Sequence, residues 1–177
     1  MTNFEPADED QDDPIHGMLA MVLSDWHQPL HEAGVKIGIL YASNADDYPL
    51  KRGGVPCAAT IRVMSHKDRV KWHYDAELAI DAMQWGRMDD PSRMALLDHE
   101  CSHLELKLDD HGDEAVIDVD NLGRPKLRSI PGDLNCSDGF IAVIERHGPA
   151  SLEAVSARNH MLMIEEALRR WVPKDEV

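Results

Sequence analysis

The stretch from Asp90 to Leu106 constrains the fold more than any other part of the chain. Asp90 suits a helix N-cap and Pro91 its first turn, and the run SRMALLDHECSHLEL continues at helical period. Met94, Leu97, Cys101 and Leu104 then share the face that turns to a core. His99 and His103 lie four residues apart, so on a helix they share a face, with side chains about 6 Å apart. Two imidazoles so placed reach a single cation. Glu100 lies roughly 100° round the helix from His99, beside such an ion, where a general base for an activated water stands. The bland alternative for this H-E-x-x-H pattern is a helix with two solvated or core histidines and an incidental glutamate.

A catalytic zinc takes three protein ligands and a water, so a third ligand has to come from elsewhere. The extended H-E-x-x-H-x-x-G-x-x-H pattern is absent, because Leu106 and Asp109 occupy its last two positions. His111 is one candidate, in an Asp-Asp-His-Gly turn. The run Pro131 to Phe140 offers Asp133, Cys136 and Asp138. Asp138 competes as the N-cap of the following helix, and a lone cysteine is more often core filling. By elimination Asp133 comes first, and the other three stay open. Asp98 either orients a ligand imidazole or is solvated. His66 and His73 form a weaker second pair, and His147 suits the carbonyls at a helix end.

The remaining elements follow from periodicity and turn chemistry. Met18, Leu19, Val22, Trp26 and Leu30 predict a helix over 15–33, bent or ended early by Pro29 and stopped at Gly34. Val35 to Ser43, Ala58 to Met64 and Ala76 to Met83 read as strands, and Asn44 to Pro56 as a turn-rich loop. Gly53 and Gly54 lack the pattern of a phosphate loop. Lys67 to His73 reads as a mixed polar connection. Ala115 to Val119 and Lys126 to Ile130 suggest a hairpin around Asp120 to Gly123. Helices are expected over 138–147 and 151–171, broken by Gly148-Pro149. The last carries an apolar stripe through Leu152, Val155, Met161, Ile164, Leu168 and Trp171, and the apolar patch of Met161, Leu162, Met163 and Ile164 reads as core or a dimer contact.

Charge sets the partners. The chain has 177 residues, with 33 acids against 18 bases and a formal charge of -15, which disfavours phosphate backbones and anionic membrane surfaces as partners. Residues 1–14 carry Glu5, Asp8, Glu9, Asp10, Asp12 and Asp13 without a base, and are expected to form a disordered acidic tail. One domain is expected over 15–172, since 43% hydrophobic residues suffice for a core. The 3 cysteines are widely spaced, no secretory signal opens the sequence and no run is long enough to span a membrane. These features point to the cytoplasm.

Three runs, MALLDHECSHLEL, GRPKLR at Gly123 to Arg128, and GDLNCSDGFIAVIERHG at Gly132 to Gly148, resemble the phage metallopeptidase family. The likeness covers about Val35 to Gly148. It implies an α+β, zincin-like fold: a short mixed sheet packed against the motif helix, C-terminal helices, and Zn2+ in the cleft between sheet and helix. By the same resemblance His99 and His103 are metal ligands and Glu100 is the catalytic base. The protein would be phage- or prophage-encoded and act in the host cytoplasm. Members often carry a His-Asp pair where this chain has Gly132-Asp133, and the histidine is missing here. In zincins an extended substrate pairs with an edge strand, for which Ala76 to Met83 is the expected candidate.

Two functions from different classes follow. The first is a zinc-dependent peptidase acting on a peptide or protein, with Asp133 as third ligand. The second, motivated by charge, is an acidic interaction protein that occupies the nucleic-acid site of a host enzyme. The sequence sets no oligomeric state.

Overall fold

The computed structural model describes residues 2–7, 13–44, 50–52, 54–109, 116–132 and 139–170. Helix α1 (Pro14–Trp26) opens on Asp13, whose Oδ1 accepts from the Ile15 amide at 3.0 Å, with proline in the first turn. Its buried face is Ile15, Leu19, Val22 and Leu23. The chain breaks at His27 and Pro29 sits in the first turn of a short helix α2 (Gln28–Glu32), so the expected bend is a full restart. Gly34 then turns the chain at φ +67, a conformation that a side chain disfavours.

A four-stranded sheet packs against these helices in the order β1-β2-β6-β5. Strands β1 (Asn3–Pro6) and β2 (Ile37–Ser43) are antiparallel, β2 runs parallel to β6 (Ala76–Asp81), and β5 (Ala59–Val63) returns antiparallel to β6. A small ladder of β3 (Lys51–Arg52) and β4 (Val55–Pro56) precedes β5. The sheet is mixed, as the α+β expectation requires. Ile39, Leu78 and Ile80 meet Ile15, Leu19 and Val22 of α1 and Leu96, Leu97 and Cys101 of the motif helix in one core. Burial of these side chains is the main stabilising contribution.

Several expectations change. Residues 3–6 are not a disordered tail: Asn3 to Pro6 pair with Ser43 to Leu40, and the Ala7 amide donates to Ile39 O at 3.0 Å. The strand is exposed on every residue, so backbone pairing at a sheet edge, not apolar burial, holds it. Asp13 is likewise engaged, accepting from Tyr41 Oη at 2.8 Å. Burial and that carboxylate push the Tyr41 phenol well above its usual range. Ala76–Asp81 is no edge strand, because β2 and β5 flank it; the edges are β1 and β5. It stops at Asp81, whose Oδ1 accepts from Met83 and Gln84 amides at 3.0 Å and caps helix α4 (Ala82–Arg87).

The polar connection after β5 is a helix, α3 (His66–Trp72), capped by Ser65. Its Arg69 is buried against Asp75, with Nε at 3.0 Å and Nη2 at 2.6 Å from Oδ1, and Nη2 also donates to Pro125 O at 2.7 Å. Asp75 Oδ2 accepts from the Lys36 amide at 2.9 Å. This ion pair therefore joins the starts of β2 and β6 to the turn at Asp120 to Gly123.

Helix α5 (Asp90–Ser102) carries the motif and is followed at once by strand β7 (Leu104–Leu106). The turn at Asp120 to Gly123 forms, closed by Val119 opposite Pro125, but the flanking strands pair elsewhere. Strand β8 (Leu108–Asp109) takes β9 (Val116–Ile117), and β10 (Leu127–Ser129) takes β7. A turn defines a reversal, and the neighbour left with open backbone groups decides the pairing. Helix α6 (Ile141–His147), a 3-10 turn at Gly148–Ala150 and helix α7 (Leu152–Arg170) complete the chain. Of the α7 stripe, Leu152 packs against the core whereas Met161, Ile164 and Leu168 stand in solvent, and Trp171 lies outside the described residues.

Candidate functional site

Helix α5 starts one residue earlier than the sequence suggests, capped by Asp89, whose Oδ1 accepts from the Ser92 amide at 3.1 Å. It ends at Ser102, and His103 is its C-cap, with the His103 amide donating to Glu100 O at 3.1 Å. The helix therefore stops short of Leu104 to Leu106, yet the two histidines keep their one-turn relation. Their ring centroids are 5.1 Å apart, with the planes at 87°. Cys101 lies on the opposite, core side, where burial, with Asp98 and Glu100 nearby, pushes its thiol far above the usual range. It is a neutral packing residue.

Each imidazole is held through Nδ1. His103 Nδ1 donates to the Ile130 carbonyl at 2.8 Å, and the Ile130 amide returns a bond to His103 O at 2.9 Å. The β7–β10 ladder thus brings Ile130 to the histidine. His99 Nδ1 donates to Glu153 Oε1 at 2.8 Å, and the same oxygen accepts from the Phe140 amide at 3.1 Å. Burial opposes ionisation of Glu153, but the bonds from His99 and from the Glu153 and Phe140 amides outweigh it and hold its carboxyl below the usual range. Both acceptors are oxygens without a proton to give, so each Nδ1 carries a proton, and the tautomer this selects has its lone pair on Nε2. This is how a metal-ligating histidine is oriented by its surroundings. Phe140 lies edge-on to both rings, at 4.8 Å from His103 and 5.7 Å from His99.

Glu100 is 3% exposed and lines, with His99, a cleft of about 660 Å³. One wall is the Pro56–Ala59 segment that leads into the edge strand β5, and the other is α7. Asp98 takes neither expected role. Fully buried, it accepts from His27 Nε2 at 2.8 Å, Arg146 Nε at 2.7 Å, Arg146 Nη2 at 2.8 Å and His147 Nε2 at 2.9 Å. Burial raises its proton affinity, and the His27 and Arg146 bonds more than reverse this, holding the carboxyl below the usual range. It clamps α5 to α6 and to the break between α1 and α2. His147, expected at terminal carbonyls, is part of this clamp.

The structure brings His99, His103 and Glu100 together. Asp133, Cys136, Asp138 and His111 lie outside the described residues. Among the described residues no group of three His, Cys, Asp or Glu side chains could hold a metal ion. Glu153, Phe140 and the Ile130 carbonyl were not predicted. A glutamate in the first turn of a helix reads as a partner for the helix dipole, and nothing local ties it to a histidine.

Among the described residues no helix is long and apolar enough to cross a membrane. Neither a curated protein nor a solved structure matches the chain. One family model does match, over residues 11–162, from the start of α1 to the middle of α7, and with it the motif helix and both histidine supports. The chain belongs to the family described as "Putative phage metallopeptidase".

Proposed function

We propose that the protein is a zinc-dependent peptidase that hydrolyses a peptide bond in a peptide or protein. The observation that carries this reading is the paired orientation of His99 and His103, each held at Nδ1 by a different element while Glu100 lines the adjoining cleft. Such a donor set fits zinc: two neutral imidazoles one turn apart, backed by a carboxylate and a carbonyl. A zinc ion bound there supplies Lewis acidity to the scissile carbonyl and lowers the pKa of a water toward ~7.

The chain's own residues do the rest. His99 and His103 bind through Nε2, and Glu153 fixes the His99 ring. Phe140 packs edge-on against both rings. Glu100 accepts the proton of the attacking water at its carboxylate and passes it to the leaving amine. Asp133 is proposed as the third ligand, ahead of Cys136, Asp138 and His111. The protein is proposed to act in the cytoplasm, of the host where the gene is phage-borne; 3 widely spaced cysteines with no C-x-x-C pair suit a reducing compartment.

Membership in a metallopeptidase family gives the decoy reading no support. The test is direct. Purified protein is expected to carry close to one zinc per chain; Glu100→Gln keeps the metal and loses hydrolysis, and His99→Ala loses both. A native protein purified without metal, and unable to take up zinc, rejects the proposal.

A further inference from the structure

The cleft beside His99 and Glu100 is unlike the rest of the molecule in one respect. In a chain where 29% of residues are Asp, Glu, Lys or Arg, the only such residue on its walls, among the described residues, is Glu100. The wall formed by the Pro56–Ala59 segment carries only small side chains near the motif, Cys57, Ala58 and Ala59, which lets another backbone come close. The opposite wall is one face of α7. Leu152, Ser156, Asn159 and Met163 recur there at helical spacing, with Val155 beside them. Val155 is 40% exposed and Met163 69%, so these apolar side chains face the cleft and its water, not a core. The same helix begins with Glu153, which holds His99. The element that orients one histidine thus also forms the wall along which a substrate must lie.

Resting on the peptidase reading, we infer that the cleft selects an extended polypeptide segment whose side chains next to the scissile bond are uncharged and apolar, with Val155 and Met163 as the specificity-determining contacts. An apolar side chain entering there displaces water from apolar surface, which is favourable. A carboxylate or ammonium entering there loses hydration and, apart from Glu100 at the motif, meets no Asp, Glu, Lys or Arg side chain on either wall among the described residues. The overall charge of -15 does not set the preference, because Glu100 is the one acid on these walls among the described residues. Substrate charge is rejected in both signs.

A proteome-derived peptide library digested by the zinc-loaded full chain, with cleavage sites read by mass spectrometry, tests this. Apolar, uncharged residues are expected on both sides of the cleaved bond. In matched peptides, replacing one of them by Glu or Lys is expected to lower kcat/KM on the order of tenfold or more. Met163→Glu, a change at an exposed position, is expected to recover the Lys-bearing peptide by a similar factor with zinc content unchanged. A wild-type preference for charged residues at those positions, or a Met163→Glu profile identical to wild type, overturns the inference while leaving the peptidase reading intact. Absence of any cleavage that depends on Glu100 overturns the peptidase reading, and this inference with it.

Discussion

His99 Nδ1 donates to Glu153 Oε1 at 2.8 Å, joining residues 54 positions apart in the chain. The bond ties the motif helix to the first turn of α7 and selects the His99 tautomer with its lone pair on Nε2. Removal of a carboxylate that orients a ligating histidine typically costs 10–100-fold in metal affinity. Glu153→Ala is therefore expected to weaken zinc binding by about that factor, with Glu153→Gln closer to wild type because an amide oxygen still accepts the bond. Competition against a chromophoric chelator measures it. Unchanged affinity in Glu153→Ala would show that the contact does not orient the ligand.

Metal removal is expected to leave the fold standing. The core-facing side of α5, through Leu96, Leu97 and Cys101, packs into the main cluster independently of the histidines. A chelated sample should keep its far-ultraviolet circular dichroism. Its melting temperature should fall as expected for a lost ligand, about 2.7 kcal/mol when zinc stands at 100 times its Kd. Global loss of helix on chelation would instead assign the site a structural role.

Asp98 anchors α6 and the α1–α2 break through Arg146, His147 and His27. Asp98→Ala leaves the Arg146 guanidinium without its carboxylate, and is expected to destabilise the protein by about 3 kcal/mol. The carboxyl is held below its usual range in the folded state, so its contribution is fully present above the unfolded carboxylate pKa. That contribution is lost as pH falls through the lower folded value, that is, below about pH 4. Thermal melts from pH 6 to pH 3 should therefore converge for wild type and Asp98→Asn at the acid end. Parallel curves would contradict the assignment.

Two ion pairs predict opposite sensitivities. Arg69 and Asp75 are both buried and share bonds with Lys36 and Pro125 backbone groups, whereas Arg62 and Glu77 pair at 2.7 Å with the arginine more than half exposed. Asp75→Ala is expected to cost about 3–5 kcal/mol, because it strands a buried guanidinium and an amide. Glu77→Ala is expected to cost below about 1 kcal/mol. Denaturant midpoints for the two variants decide it, and equal losses would mean that burial is not what separates the pairs.

The chain's own sequence determined whatever depends on neighbours along one element. His99, Glu100 and His103 share a helix side because of their spacing, and proline and glycine punctuation placed the breaks at Pro29, Gly34 and Gly148-Pro149. The α+β character was legible for the same reason, since strand and helix periods are local. Partners are not local. Glu153 reaches His99 across 54 residues, the Ile130 carbonyl reaches His103 across 27, and His27 reaches Asp98 across 71. Composition argued against order in residues 3–6, yet an open row of backbone groups on β2 pairs with them. The hairpin around Asp120 to Gly123 pairs only beside its turn, with the Lys126 amide donating to Asp118 O at 2.8 Å, because β7, freed by the end of α5 at Ser102, was the better-placed partner for Leu127 to Ser129. Hydrogen-bond partners are chosen by which unsatisfied groups the packed chain brings within about 3 Å, and only the tertiary structure decides that.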